Sequence, residues 1–205
     1  MQQLRGLKNL PIVSLLLVSI NLIVFLSGFI ASDTLSYMGS LQKTAIVERR
    51  EYGRVVWAMF LHADVSHLFN NMIILFFLGS MLEKEVGHIW FGIIYFLSGV
   101  GGNLVSLAVK IWENSETPSI GASGAVFGLD GLLLVLVLFS TSFRNTTTPT
   151  RVILMIVLSL YNGFTGQNID NAAHIGGLAV GFAVGMVYVF LAKSFRKKER
   201  CRFED

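Results

Sequence analysis

The chain has 205 residues, a length that fits one domain, and its formal net charge is +3. Hydrophobic residues make up 53% of the sequence and charged residues only 14%, whereas a soluble domain usually carries about 25% charged residues. This composition excludes an ordinary soluble globular domain and favours a protein that lies in a lipid bilayer.

Six apolar segments follow one another along the chain. A helix that crosses a hydrocarbon core about 30 Å thick needs about 20 apolar residues. We number the segments as spans one to six: 11–30, 59–82, 89–109, 121–139, 152–161 and 172–192. Span two joins the apolar run 67–82 to residues 59–66 upstream of it, and span five crosses only if part of 162–166 belongs to it. Span one could instead be a signal peptide, but it is long for one and no small-residue cleavage site follows it.

Basic residues indicate the orientation, since cytoplasmic loops carry an excess of Lys and Arg. With the N-terminus inside, eleven of the sixteen basic residues are cytoplasmic and five are outside. We therefore expect an all-α polytopic membrane protein, a six-transmembrane-helix bundle with both termini cytoplasmic. Residues 1–205 form a single membrane domain, with a core over about 11–192 and a basic cytoplasmic tail over 193–205. The tail suits anionic lipid headgroups, so no nucleic-acid partner is expected.

The connections carry little other chemistry. The longest one, 31–59, mixes apolar and charged residues, which is typical of a segment that lies in the membrane interface. The single cysteine, Cys201, cannot form an internal disulfide. No metal-ligand pattern or phosphate-binding loop occurs, so we expect neither a metal nor a cofactor.

Polar side chains near the outer ends of three spans are candidates for function, because polar groups in hydrocarbon are costly. Span two carries His67, Asn70 and Asn71, span four carries Ser123, and span six carries His174. Spans two, four and six all enter from the outer side in the expected topology. These side chains should therefore converge at a similar depth near the outer surface.

Ser123 and His174 each have a catalytic and a structural interpretation. Ser123 begins a helix, where unpaired N–H groups and a positive dipole suit an oxyanion, although Gly124 and Gly128 could simply form a packing face. His174 shares a helical face of span six with the small residues Gly177, Gly181 and Gly185. This face should pack on the glycines of span four. This packing would bring His174 to Ser123, whose proton a histidine can take. Alternatively, His174 is only hydrogen-bonded between helices.

The remaining polar groups allow similar alternatives. His67 and Asn71 lie four residues apart on one helical face, and they either donate to a developing oxyanion or join helices. Asp130 lies about 10 Å deeper than Ser123 at 1.5 Å per residue, so a protonated carboxyl or an inter-helix hydrogen bond is favoured over catalysis. Asp170 is expected to cap span six rather than to complete a triad.

The motifs HADVSHLFNN at 62–71, GASG at 121–124 and AHIGG at 173–177 together resemble the rhomboid family of intramembrane serine proteases. The EYGR motif at 51–54 also resembles that family, and the resemblance runs in the family's order over about 51–185. It implies a six-helix core and a Ser–His dyad without a catalytic aspartate.

The resemblance also implies roles for individual residues. Ser123 would be the nucleophile and His174 the base. His67, Asn71 and the backbone N–H of Ser123 would form the oxyanion hole. Phe127 falls where the family usually has an aromatic residue, often Tyr, that packs against the histidine. Since Phe has no hydroxyl, only the stacking role carries over.

Three functions remain open from the sequence. The resemblance implies an endopeptidase that cleaves transmembrane or membrane-proximal segments of other membrane proteins within the lipid bilayer. We expect a bacterial plasma membrane, with the active site toward the extracytoplasmic side. The alternatives are a catalytically inactive relative that binds membrane clients and a small-solute carrier. The polar cluster near one face argues against a carrier, because carriers bind near the midplane.

Overall fold

The fold is a bundle of helices, seen in a computed structural model that describes residues 10–31, 38–164 and 169–204. Within these ranges the regular elements are helices, and the only β-pairing is one isolated bridge. The elements in chain order are α1 Ile12–Ala31, α2 Lys43–Val47, α3 Arg54–Trp57, a 3₁₀ turn at Ala58–Phe60, α4 Val65–Val86, α5 His88–Glu113, α6 Ser123–Phe139, α7 Thr141–Thr146, α8 Pro149–Phe164 and α9 Asn171–Glu204. The expected all-α architecture is therefore confirmed.

Three helices in the described part of the chain are long and apolar enough to cross a bilayer: α4, α5 and the portion Asn171–Ser194 of α9. Three others contain shorter apolar stretches, at Ile12–Gly28, Ser123–Phe139 and Pro149–Ser159. These six helices follow the order of the six spans, but six crossings remain a prediction. The basic tail continues α9 as helix to Glu204.

The start of α4 differs from the sequence-based expectation. We expected span two to extend upstream to Met59, and this is wrong. Asp64 has an extended backbone, with φ −154° and ψ 173°, and its side chain accepts a hydrogen bond from the backbone N–H of His67 at 2.8 Å. Asp64 is thus an N-cap, so the helix begins at Val65. Met59 instead lies buried in the preceding 3₁₀ turn.

Helix α6 is the central helix, and it packs mainly against α5 and α9. A Cβ on Gly177 would lie 1.9 Å from the carbonyl oxygen of Gly124, and one on Gly181 would lie 2.0 Å from that of Gly128. The backbones of α6 and α9 therefore touch directly, which only glycine permits. The predicted meeting of the two glycine faces is confirmed.

The outer connection, which contains α2 and α3, is held by buried hydrogen bonds, one of them to α5. The guanidinium of Arg54 donates to the carbonyl of Ser40 at 3.0 Å, and the amide of Asn103 on α5 donates to the carbonyl of Val55 at 2.7 Å. Tyr52 remains exposed beside these buried polar groups. This mixture agrees with the interfacial segment that the sequence predicts.

At the opposite end of α4, the buried carboxylate of Glu83 fixes the start of α1. It accepts hydrogen bonds from the backbone N–H groups of Val13 and Ser14, at 2.8 and 2.7 Å, and from the Ser14 hydroxyl at 2.6 Å. Nδ1 of His88 lies 2.5 Å from Oε1, the oxygen that also accepts from Val13. Because this carboxylate accepts from backbone N–H groups in the first turn of α1, Glu83 acts as a cap for that helix.

Candidate active site

Ser123 is the first residue of α6, and the loop before it is held extended. Leu41 and Ser119 form the isolated bridge, with N–H···O distances of 2.9 and 3.1 Å. The backbone N–H of Gly121 donates to the carbonyl of Ala58 at 2.9 Å. These bonds fix the approach of the chain to Ser123, whose own N–H lies in a first helical turn without an intrahelical partner.

Gly121 lies between Ser123 and His67. Its φ is +132°, a conformation that L side chains rarely adopt. A Cβ at this position would lie 2.8 Å from both Cε1 and Nε2 of His67 and 3.6 Å from Ser123 Oγ. The imidazole of His67 and the hydroxyl of Ser123 therefore border the same small space, which a glycine leaves open.

The hydrogen bonds of His67 indicate which nitrogen carries its proton. The backbone N–H of Ala63 donates to Nδ1 at 3.5 Å, which assigns the proton to Nε2, the nitrogen that faces Gly121. The ring of His62 packs edge-on against His67, with centroids 5.0 Å apart. Burial, together with the neighbouring His67, lowers the pKa of His62 to about 3, so His62 is a neutral partner at physiological pH.

Asn71 lies one turn after His67 on α4 and is buried. Its side-chain amide donates to the carbonyl of His67 at 3.0 Å. This bond uses one of the two N–H groups of the amide and leaves the second available. Asn71 and His67 thus present two hydrogen-bond donors on the same helical face.

His174 lies in the first turn of α9, buried against α6. The ring of Phe127 stacks on its imidazole, with centroids 4.3 Å apart and planes inclined by 6°. A Cβ on Gly124 would lie 3.4 Å from the carbonyl oxygen of Ala173. Ser123 adjoins Gly124 and His174 adjoins Ala173, so serine and histidine leave their helices where the two backbones meet.

Asp170 caps α9, as the sequence predicts. Its Oδ1 accepts a hydrogen bond from the backbone N–H of Ala173 at 2.9 Å, and its Oδ2 accepts from the hydroxyls of Ser106 and Ser119. Lys110 lies 3.8 Å from Oδ2. Burial alone would raise the pKa of Asp170, but the hydrogen bonds and the Lys110 charge outweigh it and hold the pKa below its usual value.

Asp130 accepts a hydrogen bond from the hydroxyl of Ser159 on α8. This is the inter-helix bond that the sequence favours over catalysis. Nδ1 of His174 has no hydrogen-bond partner within the described residues. Asp130 and Asp170 thus bind serine hydroxyls elsewhere, and neither carboxylate is hydrogen-bonded to the imidazole in the described part of the structure.

Sequence reasoning did not find the roles of Ser106 and Ser119. For Gly121 the motif carried the signal, since glycines on both sides of Ser123 let another segment approach closely. Ser119 lies next to the same motif, but its partner is far away in the chain. Ser106 lies within an apolar span, and nothing in the sequence distinguishes it from other small residues there.

Comparisons with known proteins identify one family that this chain resembles. Residues 49–190 match the family described as Rhomboid domain. RHOMBOID-like protein 5 of Arabidopsis thaliana is 41% identical over 156 residues, which are 75% of this chain and 49% of that protein. Rhomboid protease GluP of Bacillus subtilis is 32% identical over 177 residues, 84% of this chain and 34% of that protein.

A third relative is closer in length. Putative rhomboid protease YdcA of Bacillus subtilis is 31% identical over 154 residues, which are 75% of this chain and 73% of that protein. By contrast, the chain spans about half or less of the length of RHOMBOID-like protein 5 and of GluP.

The chain is an integral membrane protein of the helical-bundle class. Its apolar helices surround a central glycine-lined helix, and polar groups gather at one end of the bundle. The family match covers most of these helices, including α4, α5, α6 and α8 in full. The chain belongs to the rhomboid family, which confirms the resemblance seen in its sequence.

Proposed function

We propose that this protein is an intramembrane serine endopeptidase that cleaves transmembrane or membrane-proximal segments of other membrane proteins. Ser123 is the nucleophile and His174 is the base. The observation that carries the proposal is the backbone contact between Gly124 and Ala173, because it brings together the points where these two side chains leave α6 and α9. Relatives named as rhomboid proteases support the same activity.

In the first step, His174 accepts the hydroxyl proton of Ser123 while Oγ attacks the scissile carbonyl carbon. The carbonyl oxygen becomes an oxyanion. Nε2–H of His67, the free amide N–H of Asn71 and the backbone N–H of Ser123 stabilise it. The imidazolium of His174 then donates its proton to the leaving amine, and the C–N bond breaks. Water then takes the place of the amine: His174 accepts its proton as the water oxygen attacks the acyl carbon. The C–Oγ bond breaks, and the imidazolium returns the proton to Ser123 Oγ as the acid product leaves.

Phe127 orients the base in this mechanism. Its stacking on His174 restricts rotation of the imidazole, a task that a carboxylate performs in serine proteases with a triad. Burial of the ring pair also excludes water from one side of the base. The reaction needs no metal and no cofactor, since base, nucleophile and oxyanion donors all come from this chain.

The membrane topology forms part of the proposal. The protein crosses the bilayer six times, with both termini in the cytoplasm and the dyad near the extracytoplasmic surface. The family match and the apolar helices already make the chain an integral membrane protein. A bacterial plasma membrane, expected from the sequence, gains no support from the plant relatives, one of which is named RHOMBOID-like protein 6, mitochondrial.

The test is cleavage of a model transmembrane substrate by the purified protein in liposomes. Ser123→Ala and His174→Ala should each abolish cleavage without unfolding, and the double variant should be no worse, because nucleophile and base act as one unit. Ser115→Ala, on the exposed loop after α5, is the matched control and should cleave normally.

Two outcomes contradict the proposal. Cleavage by a folded Ser123→Ala protein at the wild-type rate would end the serine-protease assignment. A wild-type protein that binds the substrate but does not cleave it, and does not label with a fluorophosphonate, would favour the alternative of a catalytically inactive relative that binds membrane clients.

A further inference from the structure

The carboxylate of Asp170 joins three separate parts of the fold. Oδ1 caps α9 through the backbone N–H of Ala173, while Oδ2 accepts hydroxyl hydrogen bonds from Ser106 on α5 and Ser119 in the loop before α6. Ser119 is also paired through its backbone with Leu41 in the outer connection. One side chain thus connects the helix of the base with the loop of the nucleophile.

The spacing of this cluster relates it to the dyad. Asp170 lies four residues before His174, and Ser119 lies four residues before Ser123. The bond between Asp170 and Ser119 therefore ties the two segments together, one helical turn before His174 on the α9 side. The backbone N–H of His174 donates to the carbonyl of Asp170 at 3.2 Å, but the Asp170–Ser119 bond itself involves neither the Ser123 hydroxyl nor the imidazole.

We propose that Asp170 is a positioning residue, which fixes the register between α9 and the loop before α6 so that His174 meets Ser123. This inference rests on the proposed protease function. The glycine contacts fix how α6 and α9 approach each other, but they do not reach the loop before α6. The hydrogen bonds of Asp170 are directional and tie that loop to α9.

The surroundings of Asp170 make these bonds strong. Ser106 is 1% exposed and Lys110 is 8% exposed, so water barely reaches these two partners of the carboxylate, while Ser119 is half-buried. Lys110 also donates to the carbonyl of Thr117 at 2.9 Å, which holds its charge beside Asp170 and the same loop. Hydrogen bonds to an ionised group are about twice as strong as neutral ones. A misplacement of about 1 Å can cost about 100-fold in rate, so this register matters for catalysis.

The experiment compares Asp170→Ala, Asp170→Asn, Ser119→Ala and the double variant Asp170→Ala/Ser119→Ala in liposomes. Active enzyme is counted by complete labelling of Ser123 with a fluorophosphonate, and kcat is expressed per labelled site. Glu116→Gln is the matched control: its carboxylate accepts from Thr44 and Lys43 on the same outer surface, away from α9. It should leave kcat and KM unchanged.

A positioning role predicts that Asp170→Ala lowers kcat per labelled site about 10-fold or more, with KM within about 2-fold. Ser119→Ala, which leaves the helix cap intact, should lower kcat about 3-fold or more. The double variant should be no slower than Asp170→Ala alone, because both changes break one interaction. Asp170→Asn should recover part of the loss, since its Oδ1 can still accept from the cap N–H while its Nδ2 can only donate to a hydroxyl oxygen.

A role confined to stability would instead reduce the number of labelled sites while kcat per site stays at the wild-type value, and that result would overturn the inference. Independent, multiplicative losses in the double variant would also overturn it. If Asp170→Ala does not fold, a wild-type kcat for Ser119→Ala decides against positioning. The proposed function itself is tested by the wild-type protein: if the wild type neither labels nor cleaves, the protease function is refuted. The variants test only the role of Asp170.

Discussion

The ring of Phe127 lies flat against the imidazole of His174, with centroids 4.3 Å apart and planes inclined by 6°. Phe127 follows Ser123 by four residues, so the nucleophile and the ring that supports the base lie on one face of α6. Because Nδ1 of His174 has no hydrogen-bond partner within the described residues, this stack is the main contact of the imidazole with α6.

Replacing Phe127 by Leu should therefore slow turnover while leaving the fold intact. Aromatic pairing contributes about 0.5–1.5 kcal/mol beyond apolar burial, which corresponds to a loss of about 2- to 10-fold in kcat. Phe127→Tyr keeps the stacked ring and should retain most of the activity. Steady-state cleavage of a transmembrane substrate measures both. Equal losses in the two variants would show that the flat stack is not what supports the base.

Asn71 provides a test of the oxyanion site. Asn71→Ala should slow cleavage about 10-fold or more, less completely than the loss of Ser123, because one of several oxyanion donors is removed. The matched control is Asn70→Ala, the same change one residue away and on a different face of α4. Separate measurement of kcat and KM is decisive: weaker binding with unchanged turnover would make the oxyanion assignment wrong.

Gly121→Ala should be one of the most damaging single-methyl changes in the chain. The added Cβ would lie 2.8 Å from Nε2 of His67, at a φ of +132° that alanine rarely adopts. The imidazole must move away from Ser123, so kcat should fall by about 10-fold or more. Gly53→Ala, where nothing lies within 4 Å of the new methyl group, is the control. Normal turnover in Gly121→Ala would mean that the position of His67 is unimportant.

Local patterns predicted the features that depend on short-range rules. Glycines at helical spacing predicted the contact between α6 and α9, and Asp170 before an apolar run predicted the cap of α9. Both follow from residues within a few turns of each other. The same kind of rule was misapplied at Met59: an apolar run was read as helix, although the capping residue Asp64 follows it.

The features that the sequence did not predict depend on contacts between distant segments. The bridge between Leu41 and Ser119 joins residues far apart in the chain, and neither has a pairing signal of its own. The two hydroxyl partners of Asp170 come from α5 and from the loop before α6. Such contacts appear only when the helices are assembled, so the network around the site could not be read from motif spacing.

Helix α8 is the natural candidate for a substrate gate, because its apolar stretch, Pro149–Ser159, is short. One of its faces is exposed and apolar, with Ile153, Leu154 and Val157 uncovered. It contacts the first half of α4 and α6. The loop after α8 and the outer loop after α1 would move with it, and parts of both, residues 165–168 and 32–37, lie outside the described residues.

Ser159→Ala should loosen this gate, because the hydroxyl of Ser159 binds Asp130 on α6 across the interface. A net loss of about 1 kcal/mol would shift an opening equilibrium about 5-fold toward the open state. Cleavage of a transmembrane substrate should rise, while labelling of Ser123 by a small water-soluble probe stays unchanged. Ser27→Ala, which removes only a bond to the carbonyl of Val24 in its own helix, is the control. An equal rise in both readouts would point to a general loosening of the site.

A crosslink should have the opposite effect. Peptide hydrolysis needs water, which reaches the dyad from the outer surface, whereas a substrate helix must enter sideways from the lipid between two helices. A cysteine pair that ties the outer end of α8 to the start of α4, made in a Cys201→Ser background, should reduce transmembrane cleavage and spare the small serine probe. Reduction of the disulfide should restore cleavage, and a pair joining the inner end of α8 to α6 should have little effect. Unchanged cleavage of the transmembrane substrate with the outer crosslink fully formed would rule out this gate.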